Sequence, residues 1–343
     1  MAGKLGFLFI SLLFTSCVSV SVLNVQVLEP ASNPSIVRID DALILNRAIF
    51  ESAGVNVDTL DFESETKELY NQTTTEIVFA LADILNESPV INFIDTSRIL
   101  EIPLRKVSAR PALLEPGYIR FLCDSLNTNA VFSFDLFYIT IPEAVMVTSV
   151  PDGTYQGYYY EGEIDVYISA LWRVYEMPEG NLTEEINWFD TLTWSHASYS
   201  TEEISANMPT PDKMFFESAY FTALSFARKI SPYWVTVPRK YFFRGNRILR
   251  NAAYDLIDGQ FDEARLKYES LLEKQNQNIV AAALYNISLI YEIQGDYRLA
   301  HNWARRSYQN RQHPVTSEYI DILERRLEKA DELDRQVGRD DLK

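Results

Sequence analysis

Glu161, Glu163 and Asp165 place three carboxylates at a spacing of two in the run Glu161-Gly-Glu-Ile-Asp165. On a strand that spacing puts all three on one face, a set of hard oxygen ligands that suits Ca²⁺. The same alternation also describes a strand whose other face is buried and whose acidic face is simply wetted. A glycosidase would need two carboxylates across a cleft, and with 48 Asp and Glu in the chain no pair stands out. Of the two cysteines, Cys123 lies in the apolar run Tyr118-Ile-Arg-Phe-Leu-Cys123 and reads as a small core hydrophobe. Nothing in the sequence links it to His196, His301 or His313 as a thiolate–imidazole pair would require. No Gly-rich phosphate loop, dinucleotide fingerprint, nucleophile elbow, H-E-x-x-H or C-x-x-C is present. The expectation is a chain with no enzyme activity, no cofactor and no catalytic residue, with metal binding confined to the three-carboxylate candidate.

The elements that would position these residues fall into two textures. Leu23–Leu28 reads as a strand, Asp41–Asn46 as a second, and Glu65–Asn86 has helical apolar spacing. Pro89 ends that helix, Val90–Ile94 reads as a short buried strand, Pro116 opens a helix to Leu126, and Ala130–Ile141 returns as strand. Strand, helix, strand, helix, strand argues for an α/β layer with parallel neighbours. From Glu163 to Tyr175 apolar and polar residues alternate strictly. With the turn Pro178-Glu-Gly-Asn181 and the alternation Ile186–Trp194, this predicts a long antiparallel hairpin. Asp212–Lys229 is an amphipathic helix, closed by Pro232, and Trp234–Phe243 a last strand.

Beyond Asn246 the pattern is wholly helical. Gly259-Gln-Phe261-Asp-Glu-Ala264 repeats as Gly295-Asp-Tyr297-Arg-Leu-Ala300, a spacing of 36. This resembles tetratricopeptide repeats, with Gly at the turn, an aromatic two residues on, and a small Ala for close helix packing. The match is fuller in the second unit; Asn251 and Asp255 depart from the pattern in the first. The resemblance implies a groove lined by the first helices, here Leu249, Ala253, Leu256, Ala282, Tyr285, Leu289 and Ile293. Tyr285, Asn286, Leu289 and Glu292 are the peptide-binding candidates; equally, this apolar face could pack onto the rest of the chain. Ser317–Gln336 would cap the array with a charged helix.

The N-terminus carries Lys4, an apolar run Leu5–Phe14, and then Thr15-Ser16-Cys17. That is a secretory signal pattern too short to span a bilayer. Phe14-Thr-Ser-Cys17 resembles a bacterial lipobox, which implies cleavage before Cys17 and a diacylglycerol on its thiol. The expected divisions are a signal over 1–16, a lipidated tether over 17–22, a mixed α/β domain over 23–244, a tetratricopeptide-like domain over 245–336 and a tail over 337–343.

The chain of 343 residues carries 31 Lys and Arg against 48 Asp and Glu, a net charge of −17, which disfavours nonspecific binding to nucleic acid or to anionic membrane surfaces and argues against a nucleic-acid partner. One stretch opposes the trend. Ser218–Tyr254 has no acid and seven bases, Arg228, Lys229, Arg239, Lys240, Arg244, Arg247 and Arg250. It could face lipid headgroups or an acidic partner, or pair with the chain's own acidic surface.

Several phrases together, Val27-Leu-Glu-Pro-Ala31, Asn46-Arg47, Leu171-Trp-Arg-Val-Tyr175, Ile230–Arg239 and Tyr285–Gly295, resemble a lipoprotein family of Bacteroidetes-type Gram-negative bacteria with a repeat-like C-terminus. The resemblance implies an envelope location and brings no assigned activity. The N-terminal layout is similar, at fold level, to the periplasmic α/β domain of TolB and to the curli secretion lipoprotein. The expected fold is therefore α+β, a mixed α/β sheet domain followed by helical hairpins. The expected role is an envelope lipoprotein, anchored at Cys17 to the outer membrane and facing the periplasm, that binds other envelope proteins through its repeats. The alternative is a carrier or sensor of a small ligand in the α/β domain.

Overall fold

A computed structural model describes residues 19–33, 39, 41–49, 64–91, 94, 96–103, 110–143, 145–153 and 157–337. The expected α+β organisation is present: a sheet-and-helix region is followed by a run of helices. In chain order the elements are β1 (Val20–Glu29), β2 (Ala42–Asn46), α1 (Ser64–Asn86), β3 (Ile99–Glu101), α2 (Pro116–Leu126), β4 (Ala130–Thr140), β5 (Met146–Asp152), β6 (Gly157–Glu176), β7 (Asn181–Ser198), α3 (Thr201–Asn207), α4 (Pro211–Ile230) and β8 (Tyr233–Phe242). Five helices complete the chain: α5 (Arg247–Ile257), α6 (Phe261–Glu269), α7 (Gln277–Ile293), α8 (Tyr297–Asn310) and α9 (Pro314–Gln336). Among the described residues no helix is long and apolar enough to cross a membrane.

The chain divides into two compact units, residues 30–233 with 335–343, and residues 1–29 with 234–334. In the first, β2 pairs in parallel with β3 and β4, while β4, β6, β5 and β7 join antiparallel. Parallel β2 is apolar from Ala42 to Leu45 and buried along its whole length, because both sheet faces are covered there. Ala42 and Ile44 meet the core packed by α1 and α4. Leu43 and Leu45 meet the smaller core packed by α2. In the long β6–β7 hairpin, Ile164, Val166, Ile168, Ala170, Trp172 and Val174 all turn into the α1–α4 core. The third parallel strand is Ile99–Glu101; of the expected strand Val90–Ile94, Val90, Ile91 and Ile94 lie outside any strand, and residues 92–93 lie outside the described residues. Ile91 and Ile94 are buried outside any strand, and the Asn86 side chain takes both backbone groups of Ile94, donating to its C=O (3.1 Å) and accepting from its N–H (2.6 Å).

Gly180 closes the β6–β7 turn at φ +72°, and a Cβ there would lie 2.5 Å from the Pro116 carbonyl oxygen at the start of α2. Gly180→Ala is thus opposed twice, by left-handed backbone and by a clash with main chain. The expected loss is about 2–3 kcal/mol, read as a lowered urea midpoint. Gly117→Ala, whose Cβ would meet nothing nearer than 3.8 Å, serves as the neutral control.

The second unit corrects the expected boundary at 244/245. β1 and β8 form a two-stranded sheet that packs with the helices. Val25, Val27, Tyr241 and Phe242 share one core with Leu249, Ala253, Leu256, Ala282, Tyr285 and Leu289. Two helical hairpins bury too little apolar surface alone, and these strands supply the missing layer. Glu29 fastens the end of β1 to α9 through Arg326 (2.6 Å) and Lys329 (3.1 Å).

Candidate functional site: the repeat groove

The repeat signature folds as its residues require. Gly259 (φ +75°) and Gly295 (φ +81°) end α5 and α7 in the left-handed conformation. Ala264 and Ala300, one turn into α6 and α8, are fully buried where a larger side chain would separate the paired helices. Asn246 and Asp296 cap α5 and α8, accepting from the Leu249 and Leu299 amides.

The groove between the first helices holds an extended strand, and that strand is β8 of the same chain. Asn286, fully buried on α7, grips its main chain at Phe242. The side-chain Oδ1 accepts from Phe242 N–H at 2.9 Å, and Nδ2 donates to Phe242 C=O at 2.7 Å. This is the pairing a neighbouring strand would give, supplied by a single amide. One turn and a half along α7, Glu292 receives the Arg239 guanidinium. Arg239 Nε lies 3.0 Å from both carboxylate oxygens and Nη2 2.8 Å from Oε1. Tyr319 Oη donates to the same carboxylate at 2.8 Å. Burial alone would lower the Arg239 pKa, but its hydrogen bonds and charge pairing with Glu292 hold it up. Burial acts the opposite way on Tyr319, pushing its pKa up, with the Glu292 charge adding to it, so its hydroxyl stays protonated and donates. The Phe242 ring meets Tyr285 edge-on at 5.0 Å, and Tyr285 rests against Tyr319 at 4.9 Å. Leu289 is buried in the same core.

All four peptide-binding candidates, Tyr285, Asn286, Leu289 and Glu292, are therefore brought together, around a strand of their own chain rather than an open groove. Their partners Arg239, Phe242 and Tyr319 were not legible as such. Arg239 stood among the bases, 53 residues from Glu292, with no spacing to link them.

The 30–233 unit holds a second buried polar cluster that the sequence does not announce. On the face that carries α2, Ser133, Arg173 and Glu185 form one cross-strand row, with Arg47 just beyond the end of β2. Asp135 is fully buried between Arg47 (3.0 and 2.9 Å) and Arg173. The guanidinium groups of Arg47 and Arg173 also donate to the Ala112 (3.0 Å) and Pro111 (2.8 Å) carbonyls, and Arg173 Nε to Glu185 at 2.8 Å. Burial pushes the Asp135 carboxyl up against the pull of Arg47, Ser133 and Arg173. Burial would also raise Glu185, but Arg173 and Arg110 overrule it and hold it below the usual carboxylate range. The cluster sits where parallel strands end, the place α/β sheets use for ligands, yet Asp135 and the segment 110–114 already occupy both arginines.

The remaining candidates are dispersed. Glu161 and Glu163 are exposed and Asp165 half-buried on the open face of β6, where Asp165 accepts from Thr193 Oγ1 at 2.6 Å. Among the described residues no group of three or more His, Cys, Asp or Glu is placed to hold a metal ion. Cys123 is a free, buried thiol in the core under α2, and burial pushes its pKa up. Trp172 is a core residue, stacked on Phe134 (4.4 Å) and Phe226 (4.3 Å); Arg173 points to the other face, so the two form no surface pair. Cys17 lies outside the described residues.

Fold and groove together define an α+β protein in which a pair of helical hairpins encloses strands of its own chain. The chain belongs to the family described as Domain of unknown function (DUF8603), whose model matches residues 39–242. A second, Domain of unknown function (DUF6340), matches residues 250–325. The first match runs through β8, so it takes in the strand that fills the groove as well as the sheet unit. No curated protein matches the chain. Among solved structures, a hypothetical protein from Chlamydia trachomatis is similar at 12% identity and a TM-score of 0.20, over 55% of this chain and 96% of that one.

Proposed function

We propose that this protein is a non-enzymatic lipoprotein of the cell envelope, held on the outer membrane by an acylated Cys17 and facing the periplasm, that binds or scaffolds other envelope proteins through its helical unit. The observation that carries this reading is the continuity of anchor and repeats. β1 begins three residues after Cys17 and is itself part of the helical unit, so an acyl chain on Cys17 would hold the repeats directly at the membrane. Because β1 and β8 close the groove, partners meet the second helices of the hairpins. Leu266 on α6 is 62% exposed and Leu299 on α8 40% exposed, and Arg306 lies over the Trp303 ring at 4.1 Å.

The test is crosslinking in cells followed by pull-down of the full chain, alone and as Leu266→Glu/Leu299→Glu. The expected result is a specific envelope protein captured by the parent and lost from the variant, with the variant equally abundant and folded. Identical captures from both, or none from either, would end the scaffold reading. Deleting residues 246–343 is the wrong comparison, since it strips Val25, Val27, Tyr241 and Phe242 of their core.

A further inference from the structure

Four of the seven bases in 218–254 are accounted for by their surroundings. Arg228 lies over the Tyr233 ring at 4.9 Å, Lys229 closes the last turn of α4, Arg239 is held by Glu292 and Lys240 by Glu318 (2.9 Å). Arg244, Arg247 and Arg250 differ. All three are exposed, none has a described side-chain hydrogen-bond or ion-pair partner, and they follow directly on the end of β8. Nor do they serve the helix. Arg247 and Arg250 stand in the first turn of α5, which has no acid, at the end where the helix dipole favours negative charge.

Apolar groups accompany them. Arg247, Arg250 and Tyr254 follow one another along one side of α5; Tyr254 is 51% exposed and Ile248, beside them, 38%. The Phe243 ring meets Tyr254 edge-on at 5.5 Å and so ties this surface to the strand end. At that same end the N-terminal segment enters the unit: Phe243 N–H donates to the Ser19 carbonyl at 2.9 Å. Cys17 is two residues before Ser19, and two residues of chain reach at most about 7 Å. An anchor on Cys17 would therefore be tethered within that reach of Ser19, whose carbonyl partner Phe243 adjoins Arg244.

We propose that Arg244, Arg247 and Arg250, with Ile248 and Tyr254, form a platform that seats this unit on the anionic phospholipid headgroups of the membrane. The inference rests on the reading of Cys17 as the anchor. A lipid tether this short brings the platform to the bilayer, and arginines with an aromatic and an aliphatic side chain suit its interfacial zone. The net charge of −17 does not forbid it, because charges more than a Debye length of about 8 Å from the surface are screened.

The experiment co-sediments the acyl-free chain from residue 17, carrying Cys17→Ala, with vesicles of phosphatidylcholine alone or mixed with phosphatidylglycerol. Binding is expected only to the mixed vesicles and is expected to fall as salt rises. Each arginine contributes about fivefold, so R244Q/R247Q/R250Q should bind on the order of a hundredfold more weakly, while R244K/R247K/R250K binds as the parent does. Unaltered circular dichroism and melting of both variants exclude misfolding. Equal binding to both vesicles, or binding indifferent to the three arginines, overturns the platform. Loss of a crosslinked acidic protein from the glutamine variant, with vesicle binding unchanged, assigns the surface to that protein and also overturns it. Mass spectrometry of the chain purified from cells tests the anchor separately. An unacylated Cys17 with arginine-dependent vesicle binding removes the anchor and keeps the platform.

Discussion

Asp135→Ala is expected to cost the 30–233 unit about 3–5 kcal/mol, because it leaves two buried guanidinium groups without their shared counter-ion. Arg47 and Arg173 are 6% and 1% exposed, so water cannot replace the carboxylate. The raised carboxyl pKa shows that the network does not fully offset its own desolvation. Its contribution is geometric: one carboxylate joins the end of β2 to the C-terminal part of β6, and the same two arginines hold the main chain of residues 111 and 112 across the sheet. Urea unfolding followed through Trp172 fluorescence gives the measurement. At this size the loss corresponds to a drop in Tm on the order of 10 °C. Asp135→Asn, which keeps one acceptor oxygen, should lose less. A loss below about 1 kcal/mol for the alanine variant would show that the arginines find other partners, and the network account would fail.

Glu292→Ala is expected to be as severe for the helical unit, by about 3–5 kcal/mol. The substitution strands Arg239, 7% exposed, and the hydroxyl of Tyr319, 2% exposed, in one step. Its effect should be local before it is global. Amide exchange at Phe242 should quicken, because β8 is then held by Asn286 alone on that side. Asn286→Leu removes the other grip and orphans one N–H and one C=O, which costs about 1–3 kcal/mol each when buried. The two sites hold the same strand three residues apart, so the double variant should lose less than the two single losses added together. Strict additivity, or unchanged exchange at Phe242 in Glu292→Ala, would show that β8 is held by apolar packing and that the clamp is incidental.

The fold was legible wherever one local pattern decided an element. Pro116 marks the start of α2 and Asn127, at φ +52°, its end. The alternation through Glu163–Tyr175 is the pleat of β6, and Gly259 and Gly295 mark the hairpin turns. It was not legible where pairing is remote. β3 is three residues, two half-buried and one exposed, placed by β2 more than fifty residues earlier. The apolar run Val90–Ile94 looked more like a strand, but at Ile94 the Asn86 amide takes both backbone groups. Tyr285, Asn286, Leu289 and Glu292 were legible as a groove lining, because helical period puts them on one side. What fills the groove was not, because nothing near Phe242 or Arg239 in sequence points to α7. Arg47, Asp135 and Arg173 were invisible for a related reason: a charged residue in a strand reads as solvent-facing until its partner is placed beside it.

The helical unit is drawn from two separate stretches of the chain, with residues 30–233 between them. During synthesis β1 therefore emerges long before any helix that will bury it. At about 5–20 residues per second the wait lasts on the order of tens of seconds. Throughout it Val25 and Val27 are an apolar strand edge without a partner, open to a holding chaperone or to another nascent chain. The strands of the sheet unit all lie within 30–233 and can pair in that interval. Arg326 and Lys329, which fasten Glu29, are made about 300 residues after it, so β1 is secured long after it is synthesised.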